Sequence, residues 1–228
     1  MDTTTFNKIL DTLSREYPPK DWTKGMRPFE VLVSVVISQN TAVANERRAL
    51  KELRRRVGIT PEALAKAPLR DLEEALRPAG LHRTRARRLK EIATLLSREH
   101  GGDLPEILRR PMEQARDALL SLPGVGPKTA DVVLSMVAGL PTFPVDTHIW
   151  RIAERWEIGQ KMDYEQIRGN LESLVSPEDR KSAHLVLIRF GRETCTARRP
   201  KCPICPVAPD CPFYEKIRAG KIRISLFD

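Results

Sequence analysis

The chain has 228 residues and a formal net charge of +9 at pH 7, and 30% of its residues are charged. This length allows one large domain or two small ones, each with a hydrophobic core. No segment is apolar over the roughly 18–20 residues that a membrane helix needs, and the N-terminus lacks the layout of a secretory signal, so we expect a cytoplasmic protein without membrane contact. Arginine-rich runs at 54–56, 83–90 and 198–201 favour a polyanion partner, although a merely solvated basic face has the same composition.

The hydrophobic pattern is helical along the whole chain and predicts an all-α fold. From Phe29 to Ile37, apolar residues recur with i, i+3, i+4, i+7 spacing, which is typical of a helix packed into a core. Thr60 followed by Pro61 predicts an N-cap and a first-turn proline. No stretch shows the sustained alternation that indicates a strand. The predicted helices are a short one within 1–20, then 28–38, 45–57, one that begins after Thr60, 69–76, 84–98, 115–120, 128–137, 147–156, 164–174, and one that a capping box at 176–179 opens and that reaches about 190.

Residues 122–133, Leu-Pro-Gly-Val-Gly-Pro-Lys-Thr-Ala-Asp-Val-Val, predict a tight hairpin that begins a helix. Gly124 and Gly126 can adopt positive φ and bring bare backbone close to a ligand, and Pro127 suits a first helical turn. Hairpin amides and a helix N-terminus together form an anion site, for which phosphate is the obvious ligand. Lys128 falls in the first turn, where the helix dipole disfavours a protonated amine. A plain glycine-rich helix entry with a surface lysine fits the same pattern.

Four cysteines lie within 17 residues near the C-terminus, with the spacing C-x6-C-x2-C-x5-C. Four thiolates in so short a loop can enclose a metal ion or a cluster. Two disulfides are disfavoured in a cytosolic protein, and zinc ribbons usually have two C-x2-C pairs, whereas a [4Fe–4S] cluster also takes four thiolates. Basic side chains on the longest segment of the loop are placed to contact phosphates. The cysteines are Cys195, Cys202, Cys205 and Cys211, and the basic residues are Arg198, Arg199 and Lys201.

Three motifs in order, the hairpin at 122–130, Val-Asp-Thr-His-Ile at 145–149 and the cysteine loop, resemble the endonuclease III family, the iron–sulfur branch of the helix-hairpin-helix DNA glycosylases. The resemblance covers nearly the whole chain. It implies a two-domain all-α fold with a C-terminal [4Fe–4S] cluster loop. A helical barrel domain with the helix-hairpin-helix is expected at 22–138, and an iron–sulfur domain at 1–21 plus 139–228, with the DNA cleft between them.

The resemblance also implies the residues of the site. Lys128 is expected to be the amine nucleophile and Asp146 its essential carboxylate partner, although an Asp before Thr147 is also a good helix cap. Gln39 and Leu81 match positions that enter the gap left by a flipped base; taken alone, they would be a helix-end polar group and a core leucine. The expected DNA contacts are Gln39, Leu81, Gly124, Val125, Gly126, Arg198, Arg199 and Lys201, and the expected cluster ligands are the four cysteines.

The activity that the resemblance implies is a bifunctional DNA glycosylase and apurinic/apyrimidinic lyase acting on oxidised pyrimidines in duplex DNA. We expect a monomer associated with the nucleoid through DNA binding. Ala42 and Asp131 depart from the residues common in this family, which leaves the base preference open. The alternatives are a mismatch-specific uracil or thymine glycosylase, a non-catalytic helix-hairpin-helix DNA-binding module, and an iron–sulfur electron carrier.

Overall fold

The structure, a computed structural model, describes residues 1–159 and 161–222. Within these residues all regular structure is helical, which confirms the predicted all-α class. No helix in the described part of the chain is both long enough and apolar enough to cross a membrane. The α-helices are, in chain order, α1 (Thr3–Glu16), α2 (Pro28–Ser38), α3 (Val43–Arg56), α4 (Pro61–Lys66), α5 (Leu69–Leu76), α6 (His82–Glu99), α7 (Leu104–Leu108), α8 (Met112–Leu120), α9 (Pro127–Val137), α10 (Thr147–Arg155), α11 (Tyr164–Leu174), α12 (Arg180–Glu193) and α13 (Pro212–Arg218). Short 3₁₀ helices cover Arg77–Ala79, Pro177–Asp179, Cys202–Ile204 and Ala208–Asp210.

The chain forms two compact units, of which one is the continuous segment Thr23–Leu140. Its central element is α2, in which every residue from Phe29 to Ile37 is buried. Because α2 is surrounded by α3, α6, α7 and α9, it needs apolar residues on all its faces. The two buried polar side chains of α2 are paired: the Ser34 hydroxyl donates to Glu46 Oε1 at 2.6 Å, and the Glu30 carboxylate accepts from the Arg27 amide at 3.0 Å. Packing onto this core fixes the positions of α6 and of the hairpin that joins α8 to α9.

The second unit combines Met1–Trp22 with the segment from Pro141 to the C-terminus. An aromatic cluster forms its core, in which Trp156 meets Phe6 edge-on and stacks on Phe190, each with ring centroids 6.0 Å apart. Gly191 of α12 allows α10 to pack closely, because a Cβ there would come within 2.8 Å of the Cβ of His148. This packing ties the first turn of α10 to the helix that leads into the cysteine loop.

Helix ends follow the predicted chemistry in some places and depart from it in others. Thr60 caps α4 as predicted, since its Oγ1 accepts from the Ala63 amide at 3.1 Å. The predicted capping box at 176–179 is wrong. The Ser176 hydroxyl donates to Asp179 Oδ2 at 2.7 Å, Pro177–Asp179 form a 3₁₀ turn, and α12 begins only at Arg180. A proline directly after Ser176 favours a tight first turn, and there the serine bonds a side chain instead of the backbone.

Candidate active site and cluster site

Two buried side chains anchor the hairpin between α8 and α9 in the hydrophobic core of its unit. Leu122 is 2% exposed and Val125 5% exposed, and the Val125 amide donates to the Leu122 carbonyl at 3.1 Å. Gly124 has φ +71°, a conformation that other residues adopt only under strain. Gly126, in contrast, is extended at φ −96° and ψ 178°, so only one of the two glycines uses positive φ. The reason is Pro127, which restricts the residue before it to extended conformations.

The two hairpin helices are joined by a buried ion pair. Arg116 of α8 donates from Nε to Asp131 Oδ1 at 2.9 Å and from Nη2 to Oδ2 at 3.2 Å. Asp131 is fully buried in α9. This carboxylate therefore holds the hairpin together and is not exposed to a base, whereas Ala42 is an exposed N-cap of α3.

Lys128 is the second residue of α9 and is half-buried beside the hairpin. The preceding Gly126 is the N-cap, and its carbonyl accepts from the Ala130 amide at 3.0 Å, so the helix is regular from its first turn. The amine is therefore carried on a rigid element next to an amide-rich turn, as a positioned nucleophile requires.

Asp146 is the N-cap of α10. Its Oδ1 accepts from the amides of both His148 and Ile149 at 2.9 Å, which leaves the second oxygen, Oδ2, outside the cap. Capping fixes the carboxylate, and chemistry at Oδ2 is compatible with it. Burial lowers the pKa of His148 below its ordinary value, and its ring nitrogen Nδ1 lies 3.2 Å from Arg151 Nη2. We therefore interpret His148 as a structural residue.

Gln39 and Leu81 lie on two turns of the Thr23–Leu140 unit, one after α2 and one before α6. The Gln39 side chain is held at both ends, since Arg88 Nη1 donates to its Oε1 at 3.0 Å and its Nε2 donates to Thr129 Oγ1 at 3.5 Å. Leu81 has φ +46° and is 66% exposed, so it is not a core leucine. A large apolar side chain held outward in a strained conformation is suited to insertion into another molecule.

Sequence reasoning missed Arg85 and Arg88, which were part of the basic run 83–90 and carried no individual signal. Arg88 crosses the hairpin at Gly124, where a Cβ would collide with its Nε. Gly124 therefore has two roles. It adopts the positive φ of the turn, and its lack of a side chain leaves space for Arg88, which donates to Gln39. Arg85 is buried, and burial together with repulsion from Arg88 lowers its pKa.

The four cysteines line one cavity, together with Trp156 and Phe213. No disulfide joins any two of them. Among the described residues, no three His, Cys, Asp or Glu side chains are close enough together to hold a single metal ion. Four thiolates are the ligand set of a [4Fe–4S] cluster and also occur in structural zinc sites. The donor set therefore fits the expected [4Fe–4S] group.

Protein groups around the cavity reinforce this fit. Burial raises the pKa of the Cys205 thiol to about 12, and a bound cluster would supply the positive charge that stabilises the thiolate form. Arg155, which sequence reasoning also missed, donates from Nη1 to Cys195 Sγ at 3.1 Å and to the Thr196 carbonyl at 2.9 Å. Its guanidinium carbon lies 4.6 Å from the centre of the Phe213 ring. Hydrogen bonds to ligand sulfurs of this kind tune and orient a cluster.

The basic residues of the cysteine loop are exposed. Arg198, Arg199 and Lys201 all point to the surface, and Arg199 has φ +53°. The Thr196 hydroxyl is within hydrogen-bond distance of the carbonyls of Arg198 and Arg199, at 2.7 and 3.1 Å, which fixes the loop backbone. The loop thus presents a preshaped basic surface of the kind that contacts phosphates.

Comparison with family models gives two matches. The model for "HhH-GPD superfamily base excision DNA repair protein" matches residues 33–177, and the model for "Iron-sulfur binding domain of endonuclease III" matches residues 195–211. The second match covers the four cysteines from first to last. Endonuclease III of Escherichia coli (strain K12) is 34% identical over 190 residues, which are 83% of this chain and 86% of that protein.

Solved structures show the same likeness. A trapped endonuclease III–DNA covalent intermediate, described as an estranged-adenine complex, superposes with a TM-score of 0.85 at 30% identity, covering 96% of this chain and 99% of that one. A thermostable thymine-DNA glycosylase superposes with a TM-score of 0.80 at 25% identity, covering 94% and 97% of the two chains.

Proposed function

The chain belongs to the endonuclease III family of helix-hairpin-helix DNA glycosylases, and from this premise we propose that it is a bifunctional DNA glycosylase and apurinic/apyrimidinic lyase of base excision repair. It carries a [4Fe–4S] cluster, and its partner is duplex DNA with a damaged base or an abasic site. The lesion class that we propose is oxidised pyrimidines. The observation that carries the proposal is a lysine in the first turn of the hairpin helix, within a chain that matches the family over most of its length.

In the proposed reaction, the neutral amine of Lys128 attacks C1′ of the damaged nucleotide. The N-glycosidic bond breaks and its electron pair leaves with the base, which takes up a proton. The C1′–O4′ bond of the resulting N,O-acetal then breaks, O4′ takes up a proton, and a Schiff base forms between Nζ and C1′. Loss of a proton from C2′ then expels the 3′ phosphate by β-elimination, and water releases the lysine.

We assign Asp146 to the charge and proton steps of this reaction. A carboxylate stabilises oxocarbenium-like charge at the sugar and assists proton transfer to or from the amine. The cap geometry supports this role, because two backbone amides fix the carboxylate through Oδ1 and leave Oδ2 for the substrate. Asp146 follows Lys128 by 18 residues. A pure phosphate-binding hairpin would need neither residue, which disfavours the non-catalytic alternative.

A base inside a duplex is out of reach, so it must leave the stack before the chemistry starts. We propose that Gln39 offers its amide to the orphaned base and that Leu81 enters between base steps. The outward, strained conformation of Leu81 and the fixed amide of Gln39 support these roles. The hairpin residues Gly124, Val125 and Gly126 are proposed to bind phosphate through their backbone.

We propose that the Thr23–Leu140 unit is the helix-hairpin-helix domain and that the other unit is the iron–sulfur domain. The four cysteines are its proposed cluster ligands, and the cluster holds the exposed basic loop with Arg198, Arg199 and Lys201 against the DNA backbone. The cluster supplies structure there and takes no part in the reaction at the sugar. A monomer acting on chromosomal DNA in the cytoplasm, at the nucleoid, fits this assignment.

The second candidate is a mismatch-specific glycosylase that removes uracil or thymine opposite guanine. The likeness to a thermostable thymine-DNA glycosylase favours it. Borohydride trapping separates the candidates, with duplexes that carry thymine glycol, uracil opposite guanine, or a bare abasic site. Trapping on thymine glycol supports the bifunctional oxidised-pyrimidine assignment. Trapping only at the abasic site supports the lyase activity but leaves the identity of the excised base undetermined. No trapping by cluster-loaded protein contradicts the proposal.

A further inference from the structure

Arg85 is a buried arginine whose hydrogen bonds all reach the two turns that carry Gln39 and Leu81. It is 4% exposed. Its Nη1 donates to the carbonyls of Ala79, at 2.7 Å, and Gly80, in the turn before α6. Its Nη2 donates to the carbonyl of Gln39 and to Thr41 Oγ1, at 2.6 Å for the hydroxyl, in the turn after α2. One planar guanidinium therefore spans both turns.

The two turns are also joined directly and share one unusual feature. The Thr41 hydroxyl donates to the Ala79 carbonyl at 2.9 Å. Each turn has a non-glycine residue in the left-handed region, namely Asn40 at φ +54° and Leu81 at φ +46°. Asparagine adopts this conformation readily, whereas leucine does so only where the surroundings hold it, and here the surrounding bonds converge on Arg85.

The chemistry of this contact is specific to arginine. The four acceptors are uncharged oxygens, so none of them offsets the buried positive charge. Burying the guanidinium therefore costs free energy, which an apolar side chain filling the same space would not cost. A lysine ammonium donates from a single point, whereas the guanidinium fork donates from two nitrogens in a fixed plane. An apolar residue would fill the space at lower cost, but it would leave the turns unconnected.

We propose that Arg85 is a positioning residue that holds the Gln39 turn and the Leu81 turn in one fixed arrangement, so that both side chains enter a DNA duplex together. This inference rests on the proposed function, because it needs Gln39 and Leu81 to act in the gap of a flipped base. Arg85 itself touches neither the sugar nor the base, and its effect is on insertion and not on the reaction at C1′.

The test measures insertion without requiring turnover. The probe is a duplex with a tetrahydrofuran abasic analogue opposite 2-aminopurine, titrated to saturation with the cluster-loaded full chain. Insertion displaces the opposite base from the stack and raises its fluorescence. We expect Arg85→Gln to give less than half of the wild-type amplitude at saturation, and Leu81→Ala to lose amplitude in the same way. The matched control is Arg87→Gln, an exposed arginine on the same helix, which keeps the full amplitude.

Excision kinetics supply the second readout. Single-turnover excision from duplex DNA should fall at least tenfold in Arg85→Gln, with a melting temperature and cluster absorbance that show a folded protein. If that variant does not fold, Arg85→Lys decides, since it keeps the charge but cannot span both turns, and it should fold with an intermediate amplitude. Wild-type amplitude in the folded variants, or no fluorescence change with the wild-type chain, overturns the inference. Wild-type insertion without excision of any lesion contradicts the proposed function instead.

Discussion

Arg116 and Asp131 form a buried two-bond ion pair that fastens α8 to α9 beneath the hairpin. Both side chains are almost entirely removed from water, and the bond geometry is that of a guanidinium fork on a carboxylate. The pair therefore fixes the angle at which the Lys128 helix leaves the hairpin. Asp131 is therefore occupied by Arg116 and has no exposed carboxylate surface.

Removing one member of this pair should be strongly destabilising. Asp131→Ala leaves a buried, uncompensated guanidinium, which costs about 3–5 kcal/mol. In a chain of this size the melting temperature should fall by about 6–20 °C, measured by circular dichroism. The double variant Arg116→Met with Asp131→Leu replaces both charges by apolar side chains and should recover most of the loss. A melting temperature unchanged in the single variant would show that the pair does not hold the hairpin.

The two hairpin glycines should respond differently to alanine. Gly124→Ala places a Cβ at positive φ and against Arg88, so it should cost about 1–2 kcal/mol of stability and weaken DNA binding. Gly126→Ala meets nothing within 4 Å and should leave the melting temperature unchanged. Its added methyl group should still reduce affinity for an abasic duplex roughly tenfold, because it blocks close approach of a phosphate. Unchanged affinity in Gly126→Ala would contradict a backbone phosphate contact at this residue.

Substitutions of Asp146 should distinguish its role as a helix cap from its proposed role in the reaction. Asparagine caps helices about as well as aspartate, so Asp146→Asn should keep its melting temperature and its cluster. Excision and strand cleavage should nevertheless be lost, because the amide carries no charge. Asp146→Ala should lose the activity and also about 1 kcal/mol of stability. Wild-type rates in the asparagine variant would reduce Asp146 to a helix cap.

Loss of the cluster should weaken folding and DNA binding without changing the reaction at the sugar. Cys202→Ser removes one ligand, so visible absorbance should fall and the dissociation constant for abasic duplex should rise. Single-turnover cleavage at saturating DNA should stay within a few-fold of wild type. Ile204→Ser, at an exposed neighbour in the same turn, is the matched control and should behave as wild type. A cluster-free variant with normal stability and affinity would refute the structural role.

Sequence reasoning succeeded where one local pattern determines the structure. The hairpin, the buried α2 and the Thr60 cap each follow from spacing or from a cap residue, and the structure has all three. It failed for α7, which has five residues and follows a Gly-Gly-Asp segment that is typical of a loop. Its only local signal was Asp103, whose carboxylate accepts from the Glu106 amide.

The site was harder to predict from the sequence than the helices, because the residues that hold it in place are distant from it along the chain. The resemblance pointed to Leu81, but its exposure and positive φ are products of the turn that Arg85 holds. Arg85 and Arg88 each bond residues more than 45 positions away, a distance over which helical periodicity carries no information. The burial of Asp131 likewise depends on the angle between two helices.

We propose Lys128 as the nucleophile, and mapping the covalent bond to DNA identifies the attacking residue. The cluster-loaded chain is reacted with a thymine glycol duplex, reduced with borohydride, digested, and sequenced by mass spectrometry. We expect the nucleotide remnant on Lys128, no adduct with Lys128→Ala, and near wild-type affinity of this variant for abasic duplex. An adduct on another amine, or trapping that persists in Lys128→Ala, would contradict the assignment.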